Sequence, residues 1–184
     1  MSAPIPVRPV PALLAAVLAL SLSSYISIPM VPVPITMQTL AVTLAGALLG
    51  WRLGTLAIVL WLVAGALGAP VLAGGTGGWE RFTGRTAGYL FAFPLAGALT
   101  GWLVARGWDG RRLPWAFAAM LLGTALCLLF GAGWLAAGIG LRKALAVGVA
   151  PFVVGGLIKS MAGALVLRAT AGFLSAGNRV PTHD

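Results

Sequence analysis

The residue with the most evident chemistry in this chain is a lysine inside an apolar stretch. Lys159 lies in the run from Pro151 to Leu167, PFVVGGLIKSMAGALVL, which holds no other charged residue. A charge at bilayer depth costs about 2.5–3.5 kcal/mol on insertion scales, and such residues usually face a partner, a cavity or a ligand. Lys159 is therefore predicted to be a ligand-binding residue.

Several alternatives account for Lys159 without a ligand. Backbone carbonyls or water could hold its ammonium group, or Glu80 could fold in from a neighbouring loop as a counter-ion. Desolvation could also favour the neutral amine. A Lys159→Met substitution separates these possibilities, because the ligand role predicts a loss of binding in a protein that still inserts.

The stretch IPMVPVPITMQT holds the next polar candidates. Its three prolines and lack of charge exclude a regular helix, so it is predicted to form a structured loop at the outer surface. Thr36 and Gln38 open the apolar run that follows. They are candidate ligand-binding residues, and a helix start with polar groups that satisfy free N–H groups explains them equally well.

A glycine-rich segment from Gly74 to Tyr89, GGTGGWERFTGRTAGY, carries six glycines in sixteen residues. Glycines adopt dihedral angles closed to other residues and let the backbone approach a ligand closely. The segment also holds a cluster of charge, from Glu80, Arg81 and Arg85. Its candidate ligand-binding residues are Gly75, Thr76, Gly78, Thr86 and Tyr89.

Enzymatic chemistry is not expected. The glycines do not belong to a Walker A motif, since no G-x-x-x-x-G-K-[ST] spacing exists in the chain. The chain has three carboxylates, Glu80, Asp109 and Asp184, and one histidine, His183. These cannot assemble a catalytic carboxylate pair, a metal cluster or a Ser-His-Asp triad inside a membrane. We expect no metal and no ATP hydrolysis by the chain itself.

The elements that carry these residues belong to an integral membrane protein. The chain has 184 residues, 60% hydrophobic and 8% charged, with a mean hydropathy of +1.01. Soluble domains of this size do not have such a composition. Hydropathy and the positions of Gly, Pro and charge predict an all-α fold of six transmembrane helices, at residues 11–28, 36–50, 53–71, 87–105, 114–137 and 144–168.

These helices are predicted to form a single membrane domain at residues 11–172. An N-terminal tail at 1–10 and a C-terminal tail at 173–184 flank it. The first apolar run imitates a signal peptide, but the hydrophobic segments that continue along the chain favour a retained span.

The net charge is +9, and the basic residues are mostly scattered singly between apolar runs, which does not suit a nucleic-acid-binding face. With the N-terminus inside, seven arginines are cytoplasmic, namely Arg8, Arg52, Arg106, Arg111, Arg112, Arg168 and Arg179. Four basic residues are outside, namely Arg81, Arg85, Arg142 and Lys143. The positive-inside rule therefore predicts that both termini are cytoplasmic.

Small residues recur along the first predicted helix. Ala12, Ala16, Ala19 and Ser23 are spaced by four, three and four residues, so they share one face. Such a face lets a second helix approach closely in lipid. Docking to a partner protein and packing inside the chain are both compatible with it.

Three sequence elements are specific enough to indicate a family. They are PVPITMQTLA, AGGTGG and GRTAGY in this order, with PFVVGGLIKS later in the chain. With them, residues 25–167 resemble the BioY family of biotin-transport proteins, which are the substrate-binding S components of energy-coupling-factor transporters.

The resemblance implies six membrane helices with a structured glycine-rich loop between helices 3 and 4. It implies that biotin is captured from the outer side, in a cavity closed by this loop and by the loop between helices 1 and 2. A T component and two ABC ATPases would couple ATP hydrolysis to release inside. The implied location is the plasma (inner) membrane of a prokaryote, with biotin as the transported ligand and no resident cofactor.

The resemblance also assigns a role to the first helix. In the family, a small-residue A-x-x-x-A face docks the T component. Here Ala12 with Ala16, and Ala15 with Ala19, match that spacing.

Two departures from the family pattern concern the site. The family reads P-F-x-x-G-D-x-I-K before its last helix, and this chain has Gly156 where the aspartate is expected. The resemblance therefore adds Gly156 to the candidate substrate-binding residues. The chain also has GRTAGY for GPTGGY, which places Arg85 and Ala87 where Pro and Gly are expected. The first departure removes a carboxylate that would share a helix face with Lys159, and the second adds positive charge beside the proposed pocket.

Biotin carries a carboxylate, an apolar arm and bicyclic core, and a ureido group. A pocket for it needs a cation, an apolar or aromatic wall and a few placed polar groups. Lys159 could meet the carboxylate or the ureido oxygen, Tyr89 offers a wall and a hydroxyl, and Trp79 adds apolar surface. The predicted hydrogen-bonding side chains are Thr36, Gln38, Thr76 and Thr86.

Two other functions are compatible with the sequence. The departures at Gly156 and Arg85 keep open an S-type binder of another water-soluble vitamin. The small-residue face of the first helix keeps open a structural subunit of a membrane complex, which would bind no vitamin.

Overall fold

The computed structural model describes residues 9–177 of the chain, with side chains as far as residue 171. The predicted N-terminal tail at 1–10 lies almost wholly outside this range. Residues 178–184 of the predicted C-terminal tail also lie outside it.

Seven helices and two short strands follow one another along the described chain. They are α1 (Pro9–Tyr25), β1 (Ser27–Ile28), β2 (Ile35–Thr36), α2 (Gln38–Ala66), α3 (Glu80–Thr83), α4 (Ala87–Ala105), α5 (Leu113–Ile139), α6 (Leu141–Gly148) and α7 (Ala150–Gly177).

By length and composition, four of the described helices could cross a membrane, namely α4, α5, the part of α7 at Ala150–Ala171, and α2 when it is counted from end to end. Helix α1 is apolar but shorter, at 17 residues. The all-α membrane fold predicted from the sequence agrees with this architecture. The count of six spans stays a prediction.

Helix α2 contains a reversal of the chain at Gly50. This residue has φ 80° and ψ 164°, a conformation outside the helical region that glycine adopts readily. A Cβ added to Gly54 would lie 2.5 Å from the carbonyl oxygen of Ala45. Nine residues of continuous helix would separate these positions by about 13 Å. The two arms of α2 are therefore antiparallel, and they correspond to the spans predicted at 36–50 and 53–71.

The helices pack in a fixed order around one main core. Helix α2 packs on α4 and α1, α4 packs on α5, and α5 packs on α7 and α6. The first arm of α2 touches α4 at glycines, because a Cβ on Gly46 would overlap the carbonyl group of Gly97. The core includes Trp61, Tyr89 and Phe93, and the rings of Trp61 and Phe93 are 5.8 Å apart.

The last span predicted at residues 144–168 is wrong in its start. Helix α6 occupies part of this stretch as a separate helix, and α7 begins only at Ala150. The break lies between Gly148 and Pro151, in a stretch without charge that a hydropathy profile does not divide. Helix α7 then continues to Gly177, past the end predicted for the membrane domain at residue 172.

Candidate ligand-binding site

The connection between α1 and α2, called the proline-rich loop (residues 26–37), contains a short antiparallel hairpin. Ser27 pairs with Thr36, and Ile28 pairs with Ile35. The prediction that this stretch does not form a regular helix is confirmed.

The connection between α2 and α4, called the glycine-rich loop (residues 67–86), contains the single-turn helix α3. Two indole N–H groups, one partly buried and one exposed, hold its backbone. Trp61 Nε1 donates to the carbonyl oxygen of Val71 at 2.9 Å, and Trp134 Nε1 donates to that of Gly84 at 3.1 Å. Both donors belong to membrane helices, so the loop is fixed to the helical core near each of its ends.

A cavity of about 520 Å³ lies between the two loops and the helices. This volume falls within the range of roughly 300–1,000 Å³ typical of small-molecule sites. Residues from both loops line it, together with residues from α2, α4, α5 and α7. The predicted ligand-binding residues that line it are Thr36, Gln38, Thr76, Thr86, Tyr89 and Lys159.

Lys159 is the only lysine that lines this cavity within the described chain. Its half-buried ammonium group donates to the carbonyl oxygen of Thr36 and to Thr39 Oγ1, both at 2.9 Å. Because an ammonium group has three donors, one N–H remains for a ligand. A backbone carbonyl therefore does hold Lys159, as one alternative predicted, and no ion pair with Glu80 exists among the described side chains.

Thr36 and Gln38 form a hydrogen-bonded pair at the start of α2. Thr36 Oγ1 donates to Gln38 Oε1 at 3.1 Å and accepts from the backbone N–H of Gln38 at 3.3 Å. Gln38 Nε2 donates to Ser24 Oγ at 2.9 Å. Thr36 thus bonds the first N–H of the helix, as the helix-start alternative predicted. Both residues also line the cavity, and their role in ligand binding stays a prediction.

The apolar wall of the cavity contains three aromatic rings, from Tyr89, Phe93 and Phe152. The ring centroids of Tyr89 and Phe152 are 6.4 Å apart. Tyr89 is buried and its hydroxyl donates to the carbonyl oxygen of Gly148 at 2.8 Å. That hydroxyl proton already has an acceptor within the protein, so Tyr89 serves the cavity mainly as a wall.

The glycine-rich loop contributes the other charged residues of the lining. Glu80, Arg81 and Arg85 are exposed, and all three line the cavity. Within the described chain, neither guanidinium group has a hydrogen bond or ion pair inside the protein. Thr76 is less available, because its hydroxyl donates to the carbonyl oxygen of Ala73 at 2.9 Å.

Two predicted loop glycines do not line the cavity. Gly75 packs against the ring of Tyr25, where a Cβ would approach to 2.7 Å. Gly78 faces the carboxylate of Glu80, with φ of 103°. Their positive φ values point to a role in turning the loop rather than in contacting a ligand.

Gly156 and Trp79 are also outside the lining. Gly156 is buried on α7 and faces α5, where an added Cβ would lie 3.3 Å from the methyl group of Thr124. Trp79 is exposed and stacks on Phe82, with ring centroids 5.8 Å apart. Neither residue lines the cavity where most of the other predicted site residues meet, and a role for either in ligand binding stays a prediction.

The sequence did not single out several cavity residues. Thr39, which accepts a hydrogen bond from Lys159, is one residue beyond Gln38 and could have been included with it. Ser27 is another polar residue that was missed, and most of the others are apolar, among them Met30, Val33, Leu72, Leu90, Phe93, Leu128 and Phe152. In an apolar chain their residue types give no signal, because nearly every helix face is apolar.

A second cavity, called the α1 groove, lies between α1 and the first arm of α2. Its volume is about 610 Å³ and its lining is almost entirely apolar. The predicted docking residues Ala12, Ala15, Ala16 and Ala19 all line it. Leu40 and Leu44 contribute from α2.

Apolar helices around a small-molecule cavity, closed by two loops and lined by one half-buried ammonium group, define a membrane-embedded solute-binding protein. The model of the BioY family matches residues 2–176. The chain belongs to the BioY family, and the resemblance found in its sequence motifs is confirmed.

Named relatives agree with this assignment. The chain is 41% identical over 163 residues to "Biotin transporter BioY" of Rhizobium etli, covering 84% of this chain and 87% of that protein. It is 39% identical over 146 residues to "Probable biotin transporter BioY" of Pyrococcus horikoshii, covering 79% and 85%.

A solved structure supports the fold. The crystal structure at 2.1 Å of the S-component for biotin from an ECF-type ABC transporter aligns with a TM-score of 0.79 and 25% identity. The alignment covers 92% of this chain and 95% of that one. The predicted S-component fold is confirmed.

Proposed function

We propose that this protein is the biotin-binding subunit of an energy-coupling-factor transporter and mediates biotin uptake. The observation that carries this proposal is the composition of the 520 Å³ cavity, in which one half-buried ammonium group faces apolar and aromatic walls. Biotin has matching parts, since its carboxylate and ureido oxygen accept hydrogen bonds and its bicyclic core and arm are apolar.

In this proposal, Lys159 donates its free N–H to an oxygen of biotin. Phe93, Phe152 and the ring of Tyr89 cover the apolar atoms, and Gln38 and Thr86 supply polar contacts at the edge of the cavity. Arg85 and Arg81 add positive charge at the glycine-rich loop, where a ligand carboxylate would be stabilised.

Membership of a transport family indicates a solute-binding component rather than an enzyme. We therefore propose that the energy comes from separate subunits, a T component and two ABC ATPases. The α1 groove is the proposed contact for the T component, because its small residues would let a partner helix approach closely. The proposed location is a prokaryotic plasma membrane with both termini cytoplasmic.

Uptake of tritiated biotin tests the proposal directly. The chain would be expressed in biotin-auxotrophic cells that lack their own biotin transporter, with and without a T component and two ATPases from its host. We expect biotin to accumulate above the level of cells with an empty vector. Accumulation equal to that of empty-vector cells in both arrangements, for a protein shown to be in the membrane, would exclude the proposed function.

A further inference from the structure

The last turn of α1 contacts both loops that border the cavity. Ser24 is fully buried, with 0% of its surface exposed. Its hydroxyl donates to the carbonyl oxygen of Leu20 at 2.9 Å and accepts from Gln38 Nε2 at 2.9 Å. Gln38 bonds Thr36 of the proline-rich loop, so Ser24 joins α1 to the end of that loop.

The same turn also holds the glycine-rich loop. The backbone N–H of Gly74 donates to the carbonyl oxygen of Ser24 at 2.9 Å. Tyr25 Oη donates to the carbonyl oxygen of Pro70 at 2.6 Å, and the Tyr25 ring lies against Gly75. Two adjacent residues of one helix therefore fasten both loops.

The contacts extend from α1 to the ammonium group in the cavity. Gln38 is 3% exposed, and its side-chain oxygen accepts from Thr36 Oγ1 at 3.1 Å. The carbonyl oxygen of Thr36 accepts from Lys159. Ser24 is therefore linked to Lys159 through Gln38 and Thr36. A ligand that bonds Lys159 meets a residue that Ser24 positions through these contacts.

We propose that Ser24 and Tyr25 are positioning residues that hold the two loops closed over the bound ligand. Ligand escape requires a loop to move away from the cavity, and each such movement breaks one of their hydrogen bonds. The buried bond from Gln38 to Ser24 matters most, because its loss leaves a buried amide donor without a partner. This inference rests on the proposed function, in which the ligand is biotin.

The test is the dissociation rate of tritiated biotin from the purified full-length protein, measured by chase with unlabelled biotin. For Ser24→Ala we expect dissociation to be faster by roughly tenfold, in line with the cost of an unsatisfied buried donor. For Tyr25→Phe we expect an increase of about two- to fivefold, because this hydrogen bond is exposed.

Ser21→Ala is the matched control. The Ser21 hydroxyl donates to the carbonyl oxygen of Val17 at 2.8 Å, with the same four-residue spacing as Ser24 and Leu20. Within the described chain, the Ser21 side chain makes no hydrogen bond with either loop. We expect its dissociation rate to equal that of the wild type. A variant that merely folds less well would reduce the number of binding sites and leave the dissociation rate of the remaining sites unchanged.

The outcomes separate this inference from the function on which it rests. If the wild type does not bind biotin, the proposed function fails. If the wild type binds biotin and both variants release it at the wild-type rate, the proposed function stands and the positioning role is wrong. Should Ser24→Ala not fold, Tyr25→Phe decides alone, because Tyr25 is 56% exposed and its substitution leaves no cavity in the core.

Discussion

The cavity wall carries two kinds of cation that differ in how they are held. Lys159 comes from α7, is half-buried, and bonds two oxygen atoms of the α1–α2 region at 2.9 Å. Arg81 and Arg85 come from the glycine-rich loop and are exposed, and their guanidinium groups have no partner among the described side chains. A cation fixed before binding loses little freedom when a ligand arrives, whereas a free exposed cation mainly attracts anions from solution.

The difference indicates separate contributions to binding. Lys159 is expected to set affinity, because it lines the cavity and two hydrogen bonds already hold its ammonium group in place. The arginines are expected to affect the association rate and its dependence on salt, since exposed charges are screened over about 8 Å at physiological ionic strength. Substitutions in the two groups should therefore give effects of different size and different salt dependence.

The largest effect is expected for Lys159→Met. Loss of a charge-assisted hydrogen bond in a partly buried site costs about 1.5–3 kcal/mol, which weakens biotin binding by roughly ten- to a hundredfold or more. Isothermal titration on purified protein measures it. Lys143→Met is the control, because Lys143 is exposed on α6 and does not line the cavity. Unchanged affinity in Lys159→Met would remove this residue from the site.

A smaller effect is expected for Thr39→Val, which has a similar shape but no acceptor for Lys159. The ammonium group would keep the carbonyl oxygen of Thr36 and lose its second partner. We expect biotin affinity to fall by about three- to tenfold, in line with one ordinary hydrogen bond. Thr170→Val should leave affinity unchanged, since the Thr170 hydroxyl bonds the carbonyl of Leu167 within its own helix. If Thr39→Val and Thr170→Val bind biotin with equal affinity, Lys159 needs no positioning by Thr39.

Arg85→Ala is expected to have a modest effect that depends on salt. Exposed ion pairs contribute about 0.2–1 kcal/mol, so affinity should fall less than about fivefold at low salt. The difference from the wild type should nearly vanish in 1 M salt, where the screening length is about 3 Å. Stopped-flow association rates measured at two salt concentrations test this, with Arg142→Ala on α6 as the control. A loss of affinity as large as that of Lys159→Met would overturn the distinction between the two kinds of cation.

The smallest effect on binding is expected for Tyr89→Phe. The ring wall remains, and the lost hydroxyl bonds the carbonyl oxygen of Gly148 rather than the cavity. Biotin affinity should stay within about twofold, while thermal unfolding should show a loss of about 0.5–1.5 kcal/mol in stability. A large loss of affinity at unchanged stability would instead make the hydroxyl a ligand contact.

The sequence revealed the charged and loop-borne parts of this site better than its walls. Lys159 was identifiable because a charge is rare in an apolar stretch, and Thr36 and Gln38 because prolines marked a loop beside a helix start. Phe93 and Phe152 gave no such signal, since their role depends on contacts between α4 and α7, which are far apart in the sequence.

The boundaries of the helices also differ in how well the sequence predicted them. The reversal at Gly50 agrees with the predicted boundary between two spans, where glycine and a charge interrupt the apolar run. The start of α7 did not emerge from hydropathy, because the stretch around Val149 is apolar throughout, although Gly148 and Pro151 flank the break. Gly156 was assigned to the site from the family pattern, but its backbone faces Thr124 on α5.

The most direct test of whether this protein is a biotin-binding subunit is titration of the purified full-length protein with biotin, desthiobiotin, thiamine and riboflavin. We expect saturable binding of biotin at one site per chain. Neither thiamine nor riboflavin should compete for this site. Desthiobiotin, which retains the ureido group and the carboxylate, should compete with biotin. Binding of none of the four ligands by a folded protein, or tighter binding of thiamine or riboflavin than of biotin, would contradict this expectation.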